Sequence, residues 1–491
     1  MKNSKKYVEI RKLHNEGYLC KVGLEIQDNI EVRSISSASR NGRDDKKRDT
    51  SNLMEQILHR DNLNKAYKKV KANKGSSGVD GMTVEELLEL VKIEVQVDIC
   101  VDGMTVEELL EYLKHNNNQL QKALIEESYT PMPVRRVEID KPDGGKRLLG
   151  IPTVVDRVVQ QAIAQVLTPI YEEKFSETSF GFRPGRSQHH AIEKCKEHIN
   201  EGYKWVVDID ISKYFDTVNH DKLMSILSKD INDKKVLRLI RKYLKSGVMI
   251  NGVVAETDIG CPQGGPASPL LSNIYLNELD KELERRGLRF CRFADDCNIY
   301  VKSKRSAERV MKSVTKFLEE ELKLKINLNK SKVTRPWKLK YLSFSFYNGK
   351  DGIQVRVHLK AIEKLKKDIK EITSRSNGKS LKWRFQKLKD KLRGWVNYFR
   401  IANMKTIAKE LDQWLRRRIR LCIWKQWKRV RTRFKELKKR GLSKQKAWEY
   451  ANTRRSYWRI SKSPIMNIAY KDKDLESLGL VSITKYYLRT C

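Results

Sequence analysis

The sequence predicts an α+β fold, with an antiparallel sheet backed by helices in its middle and a helical, strongly basic stretch behind it. Three observations predict it. Between residues 200 and 347, strand-like alternation and helical spacing interleave along the chain. A hairpin pattern at 288–302 lies within that region. Beyond residue 355 the pattern turns helical, dense in Lys and Arg, and holds Trp383, Trp395, Trp414, Trp424, Trp427, Trp448 and Trp458.

Taken in order, residues 1–50 are polar and rich in Ser, Arg, Lys and Asp, so they read as a poorly packed extension. Order is expected near Thr50-Ser51, where a cap-like Ser precedes helical spacing from Asn52 to Leu58. The segment from Val79 to Glu89 then recurs letter for letter from Val101 to Glu111. Each copy has Thr followed three residues later by Glu, a capping-box signature. Two copies are too few for a solenoid, so the reading is a local duplication with the second copy continuous with the rest of the chain.

Residues 134–150 read strand, turn, strand around Asp143-Gly144-Gly145, a strong hairpin signal. Helical periodicity follows at 153–170. The central region then reads strand (205–211), helix (220–228), helix (233–245), strand pair (248–260), helix (267–286), hairpin (288–302), helix (305–322) and strand (341–347).

With 491 residues, several domains are expected. The formal net charge of +39 suits a polyanionic partner, though charge alone does not separate RNA, DNA or an anionic membrane surface. The eight cysteines form no Cys-x-x-Cys pair, so neither a zinc site nor a disulfide framework is indicated and a reduced, bacterial-type cytoplasm fits. No signal peptide and no membrane-spanning apolar run are visible.

The chemistry is carried by acids. Asp295 and Asp296 sit between the apolar runs 288–293 and 297–301. Adjacent residues on a regular strand face opposite ways, so both can serve one site only at a tight turn. Alone, an Asp-Asp turn is often just a turn. Residues 205–211 add Asp208 and Asp210 on one face of a strand. Three carboxylates from two strand-like segments can hold two divalent cations, the arrangement that drives in-line displacement at phosphorus. Together with the charge, this points to synthesis of nucleic acid.

Five residues past Asp210 comes Phe215 and then Asp216. This Asp-x-x-x-x-Phe-Asp motif and the box Phe293-Ala294-Asp295-Asp296 resemble those of group II intron-encoded reverse transcriptases, also called maturases. More blocks match in order: Lys141 to Pro152, Phe180 to Ser187, Cys261 to Leu270, Asn329 to Lys332, Tyr341 to Phe346, and Leu392 to Phe399. The resemblance covers about residues 51–491. Phe293 stands where the family usually has Tyr, and Ser343 and Ser345 where it usually has Gly. The lack of an endonuclease motif after the last block resembles the endonuclease-lacking subclass.

The resemblance implies a right-hand polymerase: fingers (51–204), palm (205–350), helical thumb or maturase domain (351–430) and a basic nucleic-acid-binding region (431–491). It implies that Asp210, Asp295 and Asp296, with the carbonyl of Ile211, bind two Mg²⁺ ions. Lys141 and Arg147 would clamp the phosphates of a deoxynucleoside triphosphate. Gln263 would lie over the templating pair, and Phe215 would exclude a ribose 2′-hydroxyl. From the residues alone, the 141–147 turn is equally a solvated hairpin, Gln263 belongs to an ordinary helix entry, and Phe215 is a core residue. The implied partners are an RNA template with a DNA or RNA primer, a DNA target and a group II intron RNA whose splicing the protein assists, with no membrane. Rival readings are a reverse transcriptase of this lineage serving a host role such as phage defence, and an RNA-binding splicing factor with weak polymerase activity.

Overall fold

A computed structural model of the chain describes residues 49–73, 118–140, 145–250, 253–255 and 259–490. Almost all of the expected N-terminal extension, both copies of the duplicated segment, and Lys141 lie outside the described residues. The chain divides into two compact units. One comprises residues up to Cys195 together with Tyr203–Val333, and the other Lys196–Gly202 together with Thr334 onward.

The first unit opens with helices α1 (Leu53–Leu58), α2 (Arg60–Ala72) and α3 (Asn118–Ile125). The expected helix forms, but Ser51 is not its cap. Its hydroxyl and amide both bind Asp49, and the residue at the N-cap position, Asn52, makes no side-chain capping bond. The free amide of Met54 is instead taken, at 2.7 Å, by Asp233, which is 179 residues away. Asp233 also caps its own helix, Lys234–Lys245, by accepting from Lys235 and Val236. One carboxylate thus starts two helices and welds them, which no local pattern could announce.

Strands β1 (Val134–Asp140) and β2 (Lys146–Ile151) form the expected hairpin. Strand β4 (Val248–Ile250) joins β1 in parallel and β5 (Val253–Ala255) completes that sheet, in the order β2-β1-β4-β5. Helix α4 (Val154–Glu172) starts on Thr153, whose hydroxyl accepts from the Asp156 amide. Helix α5 (Gln188–Asn200) leads to β3 (Trp205–Ile209), the short α6 (Tyr214–Thr217), α7 (His220–Leu227) and α8 (Lys234–Lys245). In α8 the buried residues are Val236, Leu239, Ile240, Tyr243 and Leu244, one apolar stripe at helical spacing.

Helix α9 (Ser268–Arg285), the hairpin β6 (Arg289–Phe293) and β7 (Asp296–Val301), helix α10 (Lys304–Glu320) and strand β8 (Lys332–Thr334) complete the unit. Its second sheet has the order β6-β7-β3-β8. Side chains alternate across a strand, so this sheet has two distinct faces. Val207, Ile209, Phe290, Ile299 and Val301 belong to the core, with Leu276, Leu279 and Leu283 of α9 and Ala307, Val314 and Leu318 of α10. On the opposite face Cys291 donates to the carbonyl of Ala191 of α5 at 3.3 Å.

The second unit begins with a hairpin of β9 (Phe344–Gly349) and β10 (Gly352–Val357), which spans the boundary expected at residue 350. Helices α11 (Leu359–Ile372), α12 (Leu381–Phe399) and α13 (Lys405–Gln426) follow, and shorter ones continue to the end of the described chain. Leu388, Leu392, Val396, Leu411, Leu415 and Ile419 are buried at helical spacing. Among the tryptophans, Trp424 and Trp427 are core, whereas Trp448 and Trp458 are exposed. Among the described residues no helix is long and apolar enough to cross a membrane.

Replacing Asp233 with Ala removes a cap and orphans the Met54 amide, so we expect it to cost about 2–4 kcal/mol of stability. Denaturant titration of the full chain reads this as a lower midpoint for its first unit, and an unchanged midpoint would refute the double capping.

Candidate active site

Strands β3 and β7, which lead to the sequence-predicted acids, pair with each other. The register runs antiparallel from Trp205 opposite Val301 to Ile209 opposite Cys297. The pairing ends there, one residue short of Asp210 and Asp296, and strand alternation carries these two toward the face that holds Asp208 and Asn298. Opposite residues in such a pair share a face and keep their Cα atoms about 4.5–5.5 Å apart. Asp208, two residues back, shares that face and stands opposite Asn298.

Asp295 occupies the turn. Phe293 pairs with Asp296, so Ala294 and Asp295 alone connect β6 to β7. Ala294 has φ +57°, in the left-handed region that costs a side-chain-bearing residue about 1–2 kcal/mol. The surroundings hold it there. Gly181 packs against it so closely that a Cβ at that glycine would lie 2.3 Å from the Ala294 nitrogen. From the core face, Arg292 donates to the Ala294 carbonyl at 2.9 Å. Arg292 and its partner Asp280, on α9, are both fully buried. Asp280 more than offsets the burial that would otherwise lower the guanidinium's pKa, so the pKa is raised. Arg292, Asp280 and Asn273 were not singled out from the sequence. The available signal was an Arg at a core-facing strand position beside the Asp pair, and an Asp within the apolar stripe of 267–286.

The backbone around Asp210 is fixed from the other side. Its amide donates to the Ser331 hydroxyl at 3.0 Å, and its carbonyl accepts from Asn327 at 2.9 Å. Ser212 donates to the Lys325 carbonyl, so the Ile211–Ile326 bridge is of the kind bracketed by its hydrogen bonds. The Ile211 carbonyl is therefore directed away from Ile326.

Charge on this face is only partly balanced. Burial pushes the Asp208 carboxyl up to about 6, and the negative charge of Asp210 adds to the rise against Lys332. The Lys332 ammonium is 3.8 Å from Asp208. A face crowded with carboxylate oxygens at two strand ends suits a hard divalent cation, which takes oxygen donors. Among the described residues no three His, Cys, Asp or Glu side chains form a cluster that could hold a metal ion. The fit therefore rests on backbone register and donor chemistry.

The remaining predicted residues border the same region. Gly150 of β2 donates to the Gln263 carbonyl at 2.9 Å, which seats the Gln263–Gly264 loop on the hairpin of β1 and β2. A Cβ at Gly264 would lie 2.3 Å from the Gly150 oxygen, so this docking requires glycine. Arg136 of β1 lies 3.7 Å from Asp216. Phe215 is half-buried and its carbonyl accepts from Cys261. Its neighbour Tyr214, not Phe215, is the residue the core encloses. Arg147 lies on β2 opposite Ile139. Ser343 has φ +67°, a conformation that glycine takes at no steric cost.

The basic run from Arg416 to Arg420 makes its contacts within the helical unit. Arg416 and Arg420 both bind Asp472. Arg417 stacks 3.6 Å from the Trp458 ring centre, and Arg418 donates to the Thr373 hydroxyl and to carbonyls of Lys370 and Thr373. These guanidiniums are spent on holding the helical unit together.

Residues 139–346 match the family described as reverse transcriptase (RNA-dependent DNA polymerase), and residues 362–441 match the group II intron, maturase-specific domain. Protein YkfC of Escherichia coli K12 is 34% identical over 294 residues, covering 52% of this chain and 71% of that protein. The group II intron-encoded protein LtrA of Lactococcus lactis is 42% identical over 172 residues, 35% of this chain and 28% of that one. An uncharacterized 91 kDa protein in the cob intron of Schizosaccharomyces pombe is 36% identical, over 46% of this chain and 25% of its own. The chain thus spans most of the first relative and about a quarter of the other two.

Two outcomes are expected. A carboxyl whose pKa rises on folding stabilises the fold while protonated, so Asp208 contributes below about pH 4 and loses that contribution as pH climbs through about 6. In metal-free buffer, Asp208→Asn flattens this slope, worth on the order of 2–3 kcal/mol. Unfolding titrations at pH 4.5 and 7 measure it, and an unaltered slope would refute the assignment. Gly181→Ala forces a backbone clash and is expected to cost about 1–3 kcal/mol, read in the same titration.

Proposed function

The chain belongs to the group II intron reverse transcriptase/maturase family, and on that basis we propose that its acid-bearing sheet end adds deoxynucleotides to a primer along an RNA template. The protein is an RNA-directed DNA polymerase, and the family's reaction depends on a divalent cation. Asp210, Asp295 and Asp296, with the Ile211 carbonyl, would hold two Mg²⁺ ions. When bound, the ions lower the pKa of the primer 3′-hydroxyl and neutralise charge on the triphosphate.

The chain's own residues set the geometry. The β3–β7 pairing runs up to Asp210 and Asp296, and Asp295 lies in the β6–β7 turn, which supports this reading. The Gln263 loop, seated on β2, borders the nucleotide, with Gln263 over the templating pair. Phe215, held outside the core beside Tyr214, walls the ribose. Lys141 and Arg147 contact the triphosphate. In the reaction the primer 3′-oxygen bonds to the α-phosphorus and pyrophosphate leaves.

In this reading residues 51–204 are fingers, 205–350 palm, 351–430 thumb and 431–491 a nucleic-acid-binding region. The second unit, which contains the maturase-specific match, would bind a group II intron RNA and stabilise its active shape, and a DNA target would serve mobility. Exposed cations such as Lys428, Arg429 and Arg431 would make that contact.

The observation that best supports the proposal is the β3–β7 pairing, which runs to within one residue of Asp210 and Asp296, in a chain of this family. Primer extension on an RNA template with Mg²⁺ tests it. Asp295→Asn is expected to lose on the order of a hundredfold or more in rate, since disturbing only the support of a metal ligand already costs about 10–100-fold. Extension unchanged by that substitution would sink the site assignment. Sequencing the RNA that copurifies tests the second role, with enrichment of one intron expected and a heterogeneous pool counting against it.

A further inference from the structure

The Arg292–Asp280 pair is fully enclosed in the first unit, and its geometry is not that of a simple ion pair. Arg292 Nε donates to one Asp280 oxygen at 2.7 Å and Nη2 to the other. This fork fixes the plane of the guanidinium. The remaining nitrogen, Nη1, then reaches two acceptors: the Asn273 side-chain oxygen at 3.1 Å and the Ala294 carbonyl at 2.9 Å. Asn273 turns its own amide nitrogen to the Gly181 carbonyl at 2.7 Å. Gly181 is the residue pressed against the Ala294 nitrogen. The backbone of Arg292 is pinned as well, donating to Thr178 and accepting from Phe180, each at 2.9 Å.

A closed circuit results. From Asp280 and Asn273 on α9 it runs through Arg292 to the carbonyl of Ala294, and through Gly181 back to the same residue. The Ala294 carbonyl belongs to the peptide group whose nitrogen is that of Asp295. Holding that oxygen holds the plane from which the Asp295 side chain projects. A buried ion pair is a poor stabiliser, since well-packed apolar residues of similar volume often do as well or better. This one leaves its third nitrogen, Nη1, to hold a carbonyl in a strained turn, one residue from a proposed cation ligand.

We propose that Arg292, oriented by Asp280 and Asn273, is a positioning residue that fixes the Ala294–Asp295 peptide and so presents the Asp295 carboxylate to a divalent cation. The inference rests on the reading of Asp295 as a cation ligand. Arg292 itself faces the core and touches neither substrate nor cation.

Two substitutions in the full chain probe it by different routes. Arg292→Lys keeps a cation opposite Asp280 but loses the fork. Asn273→Leu keeps the ion pair and removes the brace that links it to Gly181. Mn²⁺ binding, read by electron paramagnetic resonance without turnover, reports the ligand geometry. Single-turnover extension at varied Mg²⁺ and varied nucleotide reports its use, with both normalised to the folded fraction from thermal unfolding.

Both variants are expected to bind Mn²⁺ about tenfold more weakly and to need about tenfold more Mg²⁺ for half-maximal rate, with nucleotide KM little changed. Wild-type Mn²⁺ affinity and Mg²⁺ requirement in the folded variants would overturn the proposal, as would losses that merely track unfolding. If Arg292→Lys does not fold, Asn273→Leu carries the same test. Asp295→Asn runs in parallel. Should it bind Mn²⁺ and extend as the wild type does, the cation site is wrong and the inference falls with it. Should it fail while the positioning variants behave normally, only the inference falls.

Discussion

Everything at the acid-bearing end of the sheet depends on the register between β3 and β7. A slip of one residue would move every side chain of one strand to the other face, sending Asp208 and Asp210 into the core. Packing on both faces opposes that slip. On one side Val207, Ile209, Ile299 and Val301 fit among the helices α9 and α10. On the other, Val206 and Tyr300 are paired and fully buried. Acids gather only where this apolar grip ends. The pairing energy of the distant half of the sheet therefore holds the carboxylates together despite their mutual repulsion.

A second theme is that distant residues finish what local sequence starts. Asp233 supplies the cap that the first helix lacks. Gly150 meets Gly264 where only glycine allows two backbones to approach. Ser331 and Asn327 close the backbone around Asp210 from more than 100 residues away. The last two links tie the residues around the site to distant elements, so its backbone is held from more than one side.

Much of this was legible in the sequence. Alternation in 205–211 and the hairpin pattern at 288–302 located the strands and put the acids at their ends, since strand period and turn chemistry are local properties. The helices at 220–228, 233–245 and 267–286 were readable from apolar spacing to within a residue or two. The short strand β8 and the helix α6 were not, because three or four residues carry no period. Nor was the Arg292–Asp280 pair, whose members look like surface charges until the fold encloses them. The start of α1 was located correctly but attributed to Ser51, because a cap donated across 179 residues leaves no mark nearby. The partners of the Arg416–Arg420 run were not legible either, since a dense cationic string gives no hint that it meets carbonyls, a ring and one aspartate.

That internal use of arginine changes what the formal charge of +39 means. Binding to a polyanion releases condensed counterions in proportion to the phosphates a protein neutralises, and this sets how steeply affinity falls with salt. A guanidinium already lodged on Asp472 or stacked on Trp458 displaces no such ion. The ionic-strength dependence of this protein is therefore governed by its exposed lysines and arginines, a smaller population than its composition suggests.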